Sequence, residues 1–195
     1  MNFDLRLDGK VAMVTGGAMG LGKGIASGFS SLGAKVVILD VNEQTGQETV
    51  KEIINKGGQA CFYALDVTNS KQFEKVVEEI AQEFKRIDIL VNNAGIAAKS
   101  NCIDMQVEDW RRIIDINLTG AWIGSKVVAP IMIEQKAGKI INMCSMFGFV
   151  ALAGLTAYAS SKGGISQLTK SLALELVEYN INVNAVAPAY IATEL

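Results

Sequence analysis

The sequence contains no histidine and only three cysteines among its 195 residues. The cysteines, Cys61, Cys102 and Cys144, lie far apart, and none forms a Cys-x-x-Cys pair. Zinc sites are built mainly from thiolate and imidazole ligands, and a disulfide scaffold needs a dense cysteine pattern. We therefore expect no metal site and no disulfide framework, and we predict a reducing, cytoplasmic location.

Charge is also sparse and balanced. Only 19% of the residues are charged and the formal net charge is −2. We therefore expect neither a nucleic-acid partner nor a polybasic patch that binds a membrane. The first ten residues, MNFDLRLDGK, have no apolar run and do not resemble a signal or transit peptide. Residues 140–161 carry no charge, but their polar side chains and the glycines at 148 and 154 favour a strand, a loop and a helix start over a membrane span.

The rest of the chain alternates between short runs rich in Val, Ile and Leu and longer segments with helical periodicity. The predicted strands are 10–15, 35–39, 59–65, 87–92, 138–144 and 180–186. The predicted helices are 20–32, 43–57, 69–85, 105–134 and 156–179. Strands buried on both faces and joined by helices pair in parallel, so we predict a Rossmann-like, doubly wound sheet in three layers. No repeat or linker interrupts it, and residues 1–195 are expected to form one domain.

A glycine-rich turn, TGGAMGLG, follows the first predicted strand and precedes a helix. Gly16, Gly20 and Gly22 would let the backbone approach a pyrophosphate beside the unpaired N–H groups of the helix. The strict G-x-G-x-x-G spacing is absent, and such a turn also occurs without a ligand. Asp40 closes the second predicted strand 18 residues after Gly22, where a carboxylate can accept hydrogen bonds from a ribose diol. The combination of strand, glycine turn, helix and Asp40 favours dinucleotide binding. A methyltransferase could use the same N-terminal half of the fold to bind its adenosyl cofactor.

The back half of the chain provides a group for proton transfer. Tyr158 and Lys162 stand one turn apart if a helix begins near residue 156, and Ser145 follows the fifth predicted strand, where open α/β sheets bind their ligands. Without histidine, a proton can be moved near neutral pH by a tyrosine whose phenolate form is stabilised by a cation. Lys162 would supply that cation. Tyr158 would then exchange a proton with an alcohol or carbonyl oxygen that Ser145 holds. A surface helix with an incidental Tyr and Lys is the alternative interpretation of the pair alone.

These motifs resemble the short-chain dehydrogenase/reductase family: TGGAMGLG, NNAG at 92–95, Ser145 and YASSK at 158–162 occur in that family's order. The resemblance implies hydride transfer between a nicotinamide cofactor and an alcohol or carbonyl substrate. It implies that Asn117 supports the lysine through a water-linked proton relay. The implied cofactor contacts are Gly16, Met19, Gly20, Leu21, Gly22, Asp40, Asp66, Val67, Asn93, Ala94, Gly95, Tyr158, Lys162, Ile191 and Thr193.

The resemblance also assigns parts of the cofactor to some of these contacts. Asp66 and Val67 would contact the adenine, and Asn93 the adenosine side. Ile191 would present backbone groups to the carboxamide, and Thr193 would reach a phosphate.

The sequence departs from the family pattern in two places. Pro188-Ala189 stands where the family has Pro-Gly, so we expect Ala189 to adopt a backbone conformation that is easy for glycine. The chain ends at IATEL, whereas family members continue through a helical segment over the substrate, another helix and a final strand. We expect the sequence to lack that C-terminal part.

The substrate is the least specified feature. The stretch from MCSMFGFVALAG to PAYIATEL looks closest to gluconate or deoxygluconate dehydrogenases, which predicts a sugar acid or polyol. A 3-oxoacyl carrier-protein reductase shares every motif above. A non-catalytic nucleotide-binding regulatory protein is the alternative from another class, and the joint presence of Asn117, Ser145, Tyr158 and Lys162 disfavours it.

Cofactor choice and assembly can also be predicted. A 2′-phosphate would meet the charge of Asp40, and neither Met19 in the turn nor VNEQ after Asp40 supplies a cation, so we predict NAD rather than NADP. If Asp40 instead caps the next helix near Asn42, the preference stays open. The helices at 105–134 and 156–179 are apolar on more than one face, which fits either full burial or the pairing that the family resemblance implies. We expect a dimer or tetramer.

Overall fold

A computed structural model of the protein describes residues 5–191. Its sheet has six parallel strands in the order β3-β2-β1-β4-β5-β6. The strands are β1 (Val11–Thr15), β2 (Lys35–Asp40), β3 (Gln59–Ala64), β4 (Ile89–Asn92), β5 (Gly138–Met143) and β6 (Ile181–Val186). The α-helices are α1 (Gly20–Ser31), α2 (Glu43–Asn55), α3 (Ser70–Phe84), α4 (Val107–Ile114), α5 (Gly120–Gln135) and α6 (Thr156–Leu176). The predicted Rossmann-like fold class is confirmed.

Alternation along the central strands separates two apolar layers. Met13 and Leu39 face the layer that holds α3, α5 and α6, whereas Val14 and Ile38 face the layer that holds α1 and α2. Adjacent residues of a strand point to opposite faces, so near-continuous apolar strands are what a sheet covered on both sides requires. Packing on both faces of the sheet therefore holds in place the strand ends that carry the glycine turn and Ser145.

The single helix predicted at 105–134 is interrupted. A π-helical turn, Asp115–Thr119, separates α4 from α5. Such a turn carries an extra residue, which periodicity does not reveal, and π-turns are frequent at functional sites. Asn117 lies within it, fully buried.

The continuous helical stretch Val107–Gln135 is long and apolar enough to cross a membrane by length and composition alone. It is the one described helix that meets this test, which core helices also meet. Its α5 part packs against β4 and β5, as a core helix does. The uncharged window at 140–161 divides into β5, a loop and the start of α6, as predicted.

Candidate active site

A cleft runs along the carboxyl ends of the strands. It consists of two cavities of about 340 Å³ each. The glycine-turn cavity is lined by Gly16, Gly20, Gly22, Asp40 and Asp66, among others, and the Tyr158 cavity by Ser145, Tyr158 and Lys162. Both cavities are lined by Leu21, Asn93, Gly95 and Ile96. The shared wall makes the two cavities one cleft, above β1 and β4, where the strand order reverses direction and open α/β sheets bind ligands.

The glycine turn is built for close backbone approach. Gly16 and Gly20 have φ of +62° and +53°, which side chains rarely tolerate. A Cβ on Gly22 would lie 2.0 Å from the carbonyl oxygen of Gly16. Asn93 locks this arrangement, since its Nδ2 donates to the carbonyl oxygens of Thr15 and Gly16, both at 3.0 Å. A cradle that a methyl group would fill, opening at the start of α1, fits the pyrophosphate of a dinucleotide.

Asp40 ties the turn to the end of β2. Its Oδ2 accepts a hydrogen bond from the Ala18 amide at 3.1 Å, and its Oδ1 accepts one from the Asn42 amide at 3.0 Å. The cap of α2 is Asn42, whose side chain accepts from the Thr45 amide. Asp40 is therefore not the capping residue, and its carboxylate, which has about four acceptor positions, keeps acceptor capacity on the cavity wall.

Most of the predicted cofactor contacts lie on this cleft. The glycine-turn cavity is lined by Gly16, Met19, Gly20, Leu21, Gly22, Asp40, Asp66, Val67, Asn93, Ala94 and Gly95. The Tyr158 cavity is lined by Tyr158, Lys162 and Ile191. Thr193 lies outside the described residues.

Lys162 is the most deeply buried cation of the site. It is 5% exposed, and its Nζ donates to the carbonyl oxygen of Met143 at 2.7 Å. Burial lowers the pKa of Lys162 to about 8 because desolvation disfavours the ammonium form. The Nζ lies 5.6 Å from the ring centroid of Tyr158, one turn earlier on α6. A positive charge is thereby held beside the phenol in a water-poor wall.

Ser145 is buried in the lining of the same cavity, two residues after the end of β5. Its Oγ accepts a hydrogen bond from the Phe147 amide at 3.2 Å, so the hydroxyl hydrogen is available to a ligand. Phe147 packs edge-on against Tyr158, with ring centroids 6.4 Å apart. The two hydroxyl-bearing residues therefore share one apolar wall.

Asn117 points its side chain at the loop after β4. Its Oδ1 accepts from the Ile96 amide at 2.8 Å, and its Nδ2 donates to the Ile96 carbonyl at 2.9 Å and to Ser161 Oγ at 3.1 Å. Ser161 Oγ in turn donates to the backbone carbonyl of Tyr158 at 2.7 Å. Asn117 thus links the loop at the cleft centre to the first turns of α6, and the water-linked relay to Lys162 stays a prediction.

The expectation for Ala189 is wrong. The described non-glycine residues with positive φ are Lys85, Lys136 and Asn180, so Ala189 has no need of a glycine-like conformation. The preceding Pro188 accepts a hydrogen bond from the Met146 amide at 3.0 Å, which fastens this segment to the loop after β5. Alanine is therefore accommodated at position 189, because the hydrogen bond between Met146 and Pro188 forms with backbone angles that any residue can adopt.

Thr15 is a site residue that the sequence analysis missed. Its Oγ1 donates to the Val91 carbonyl and accepts from the amides of Asn93 and Ala94. It thereby joins the carboxyl ends of β1 and β4 beneath the cleft. A buried polar residue at the end of an apolar strand was the available signal.

A buried polar ladder and an arginine were also missed. The ladder runs from α5 to α6 through two paired strands: Ser125, Asn92, Asn142 and Thr169 are joined by successive hydrogen bonds of 2.9–3.0 Å. Repeated Asn at strand ends hinted at it. Arg112 of α4 lines the glycine-turn cavity, and no local sequence signal brings it there.

Comparison with known proteins agrees with this geometry. The family model for short chain dehydrogenases matches residues 10–195. A 3-oxoacyl-[acyl-carrier-protein] reductase of Thermotoga maritima is 41% identical over 98% of this chain and 78% of its own length. The 5-keto-D-gluconate 5-reductase of Escherichia coli K12 is 36% identical over 100% of this chain and 77% of its own length.

Solved structures extend the likeness to the backbone. NAD⁺-bound xylitol dehydrogenase superimposes with a TM-score of 0.93 at 36% identity, covering 95% of this chain and 72% of that protein. A protein of Beutenbergia cavernae assigned as an NAD(P)-dependent gluconate 5-dehydrogenase, with NADP bound at low occupancy, has a TM-score of 0.93 at 34% identity, covering 98% and 76%. The chain therefore belongs to the short-chain dehydrogenase family and is a nicotinamide-dependent oxidoreductase of alcohol or carbonyl groups.

Proposed function

We propose that this protein is an NAD-preferring dehydrogenase or reductase in which Tyr158 exchanges the proton and Lys162, Ser145 and Asn117 support it. The observation that carries the proposal is that Tyr158, Lys162 and Ser145 line one cavity that adjoins the glycine-turn cavity and shares lining residues with it. The nicotinamide cofactor, held by the glycine turn and Asp40, supplies the hydride acceptor or donor.

The chain's own groups handle the proton. Tyr158 takes the proton of the substrate hydroxyl in oxidation and returns it in reduction. Lys162 stabilises the phenolate electrostatically, and the burial of its Nζ strengthens that interaction. Ser145 donates to the substrate oxygen and fixes its position between Tyr158 and the cofactor.

We propose a sugar acid or polyol as substrate, supported by the likeness to 5-keto-D-gluconate 5-reductase and xylitol dehydrogenase. A 3-oxoacyl carrier-protein reductase is the second candidate. It is favoured by the 41% identity to such an enzyme and by the apolar side chains of Phe147, Leu155 and Tyr190 on the cavity wall.

Further proposals concern the whole molecule. Residues 1–195 form one cofactor-binding domain, located in the cytoplasm, that assembles as a dimer or tetramer. Exposed apolar side chains on α4, α5 and α6 support assembly: Trp110, Trp122 and Leu174. Light scattering of the purified protein at micromolar concentration should report at least a dimer, and a monomer would refute the assembly.

A substrate panel tests the proposed function. Gluconate and xylitol with NAD or NADP, and a β-ketoacyl thioester with NADH or NADPH, should be compared by kcat/KM from absorbance at 340 nm. We expect the highest kcat/KM with a sugar acid or polyol and NAD. A clear preference for the thioester would assign the second candidate function, and a lack of turnover with every substrate and cofactor would refute both.

A further inference from the structure

Arg112 has a place in the glycine-turn cavity that no cofactor role has yet explained. It lies on α4 one turn before Ile116, and both residues line the cavity. Leu65, Asp66 and Val67, after β3, line the same cavity. Val67 lies against the start of α5, since a Cβ on Gly120 would be 2.8 Å from Val67 Cγ2. The α4 end and the segment after β3 thus bound the same part of the cavity.

The neighbouring arginine behaves differently. Arg111 reaches Glu108 on the same helix at 4.0 Å and does not line the cavity. Arg112 is exposed and makes no ion pair with any residue of the range 5–191. Its guanidinium therefore has a charge and a planar face to offer a ligand, whereas that of Arg111 is partly engaged.

The layout of the cavity indicates which part of a dinucleotide Arg112 meets. The pyrophosphate belongs at Gly16–Gly22, where the cradle is, and the ribose diol at Asp40. The remaining wall, formed by Leu65–Val67 and Ile116, is mainly apolar and suits a flat base. Arg112 lies on that wall, and a guanidinium plane stacks well on aromatic rings.

We propose that Arg112 covers the adenine base of the dinucleotide by stacking its guanidinium on the ring face. The proposal rests on the proposed function, because it requires a dinucleotide in the cleft. Arg112 would add affinity at the adenine without touching the reacting atoms. The competing role is an ion pair with the 2′-phosphate of NADP, which would offset the repulsion from Asp40.

Binding measurements on the purified protein test the assignment. NADH and NADPH should be titrated by fluorescence, and AMP by competition with NADH, for the wild type, Arg112→Ala, Arg112→Gln and the control Arg111→Ala. We expect Arg112→Ala to weaken NADH, NADPH and AMP by the same factor, about fivefold, as cation–π contacts at exposed sites do. Arg112→Gln, which keeps a planar group, should lose less, and Arg111→Ala should match the wild type.

The other possible outcomes of these titrations contradict either the stacking role of Arg112 or the proposed function. If Arg112→Ala binds NADH and AMP as the wild type does, or if Arg111→Ala loses as much, the stacking role is refuted. A loss confined to NADPH would overturn it in favour of 2′-phosphate pairing. A wild type that binds neither NADH nor NADPH would refute the proposed function itself, which separates that failure from a failure of Arg112.

Discussion

The glycine-turn cavity and the Tyr158 cavity differ in how deeply their polar side chains are buried. In the glycine-turn cavity, Asp66 and Arg112 are exposed and Asp40 is half-buried. In the Tyr158 cavity, Lys162 and Ser145 are 5% and 6% exposed. Burial strengthens electrostatic interactions but makes every unsatisfied polar group costly. The glycine-turn cavity is therefore suited to recognition of the cofactor, and the Tyr158 cavity to proton transfer. Hydrogen bonds behind the Tyr158 cavity support its buried polar groups.

The comparison predicts the largest loss for a change at the buried end. Tyr158→Phe removes the proton-transfer hydroxyl and keeps the ring that packs on Phe147. We expect kcat to fall at least about hundredfold, the lower range of general acid–base contributions, with NADH binding nearly unchanged. The matched control is Tyr179→Phe, outside the cleft, which should keep wild-type kcat. Near-wild-type turnover of Tyr158→Phe in steady-state assays would refute the role of Tyr158.

Lys162 should make stability depend on pH. Its folded pKa of about 8 lies below the ordinary value of 10.5, so between these values the unfolded chain binds more protons and the free energy of unfolding rises with pH. Lys162→Met lacks this contribution. Urea unfolding of both proteins from pH 7.5 to 10.5 should show the wild type gaining about 3 kcal/mol relative to the variant. A constant difference would contradict the burial of a charged Lys162.

The polar ladder behind the Tyr158 cavity should matter more for stability than polar contacts at the other end. Asn142→Ala removes one acceptor of the Asn92 side-chain amide and the donor to Thr169 Oγ1 in the core, at a cost of about 2 kcal/mol. The comparison variant is Thr68→Ala, which removes an exposed hydroxyl that donates to Asp66 and should cost less than about 0.5 kcal/mol. Equal unfolding free energies of the two variants in urea would show that burial does not distinguish the two ends.

Substitution of Asp40 should change the preference between NAD and NADP rather than the proton-transfer step. We expect a preference for NAD over NADP of at least about tenfold in kcat/KM, or about 1.4 kcal/mol, that Asp40→Ala narrows. Glu43→Ala, an exposed carboxylate at the start of α2, is the control and should keep the wild-type ratio. An unchanged ratio in Asp40→Ala, or a wild type that uses NADP equally well, would remove Asp40 from this role.

Sequence patterns predicted the parts of the site that depend on local rules. Gly16 and Gly20 mark left-handed backbone, and alternating apolar runs mark strands whose ends must meet at one edge of the sheet. The π-turn around Asn117 was not predictable, because it inserts one residue into a helical period that otherwise continues. Arg112 was missed because its place depends on α4 and the segment after β3 lining the same cavity, a tertiary relation that no local pattern encodes.

The independence of the two ends can be measured with a double-mutant cycle. Asp40 ends β2, and Ser145, which lines the same cavity as Tyr158, follows β5. These two strand ends are three strand spacings apart across the sheet, which is about 14 Å. Effects at sites this far apart normally add in free energy. The measurement is kcat/KM for NADH, at a fixed concentration of the preferred carbonyl substrate, of the wild type, Asp40→Ala, Tyr158→Phe and the double variant. We predict that the losses multiply, so that the double variant falls below the wild type by the product of the two single-variant factors. A double variant no worse than Tyr158→Phe alone would contradict a cleft in which one end binds the cofactor and the other moves the proton.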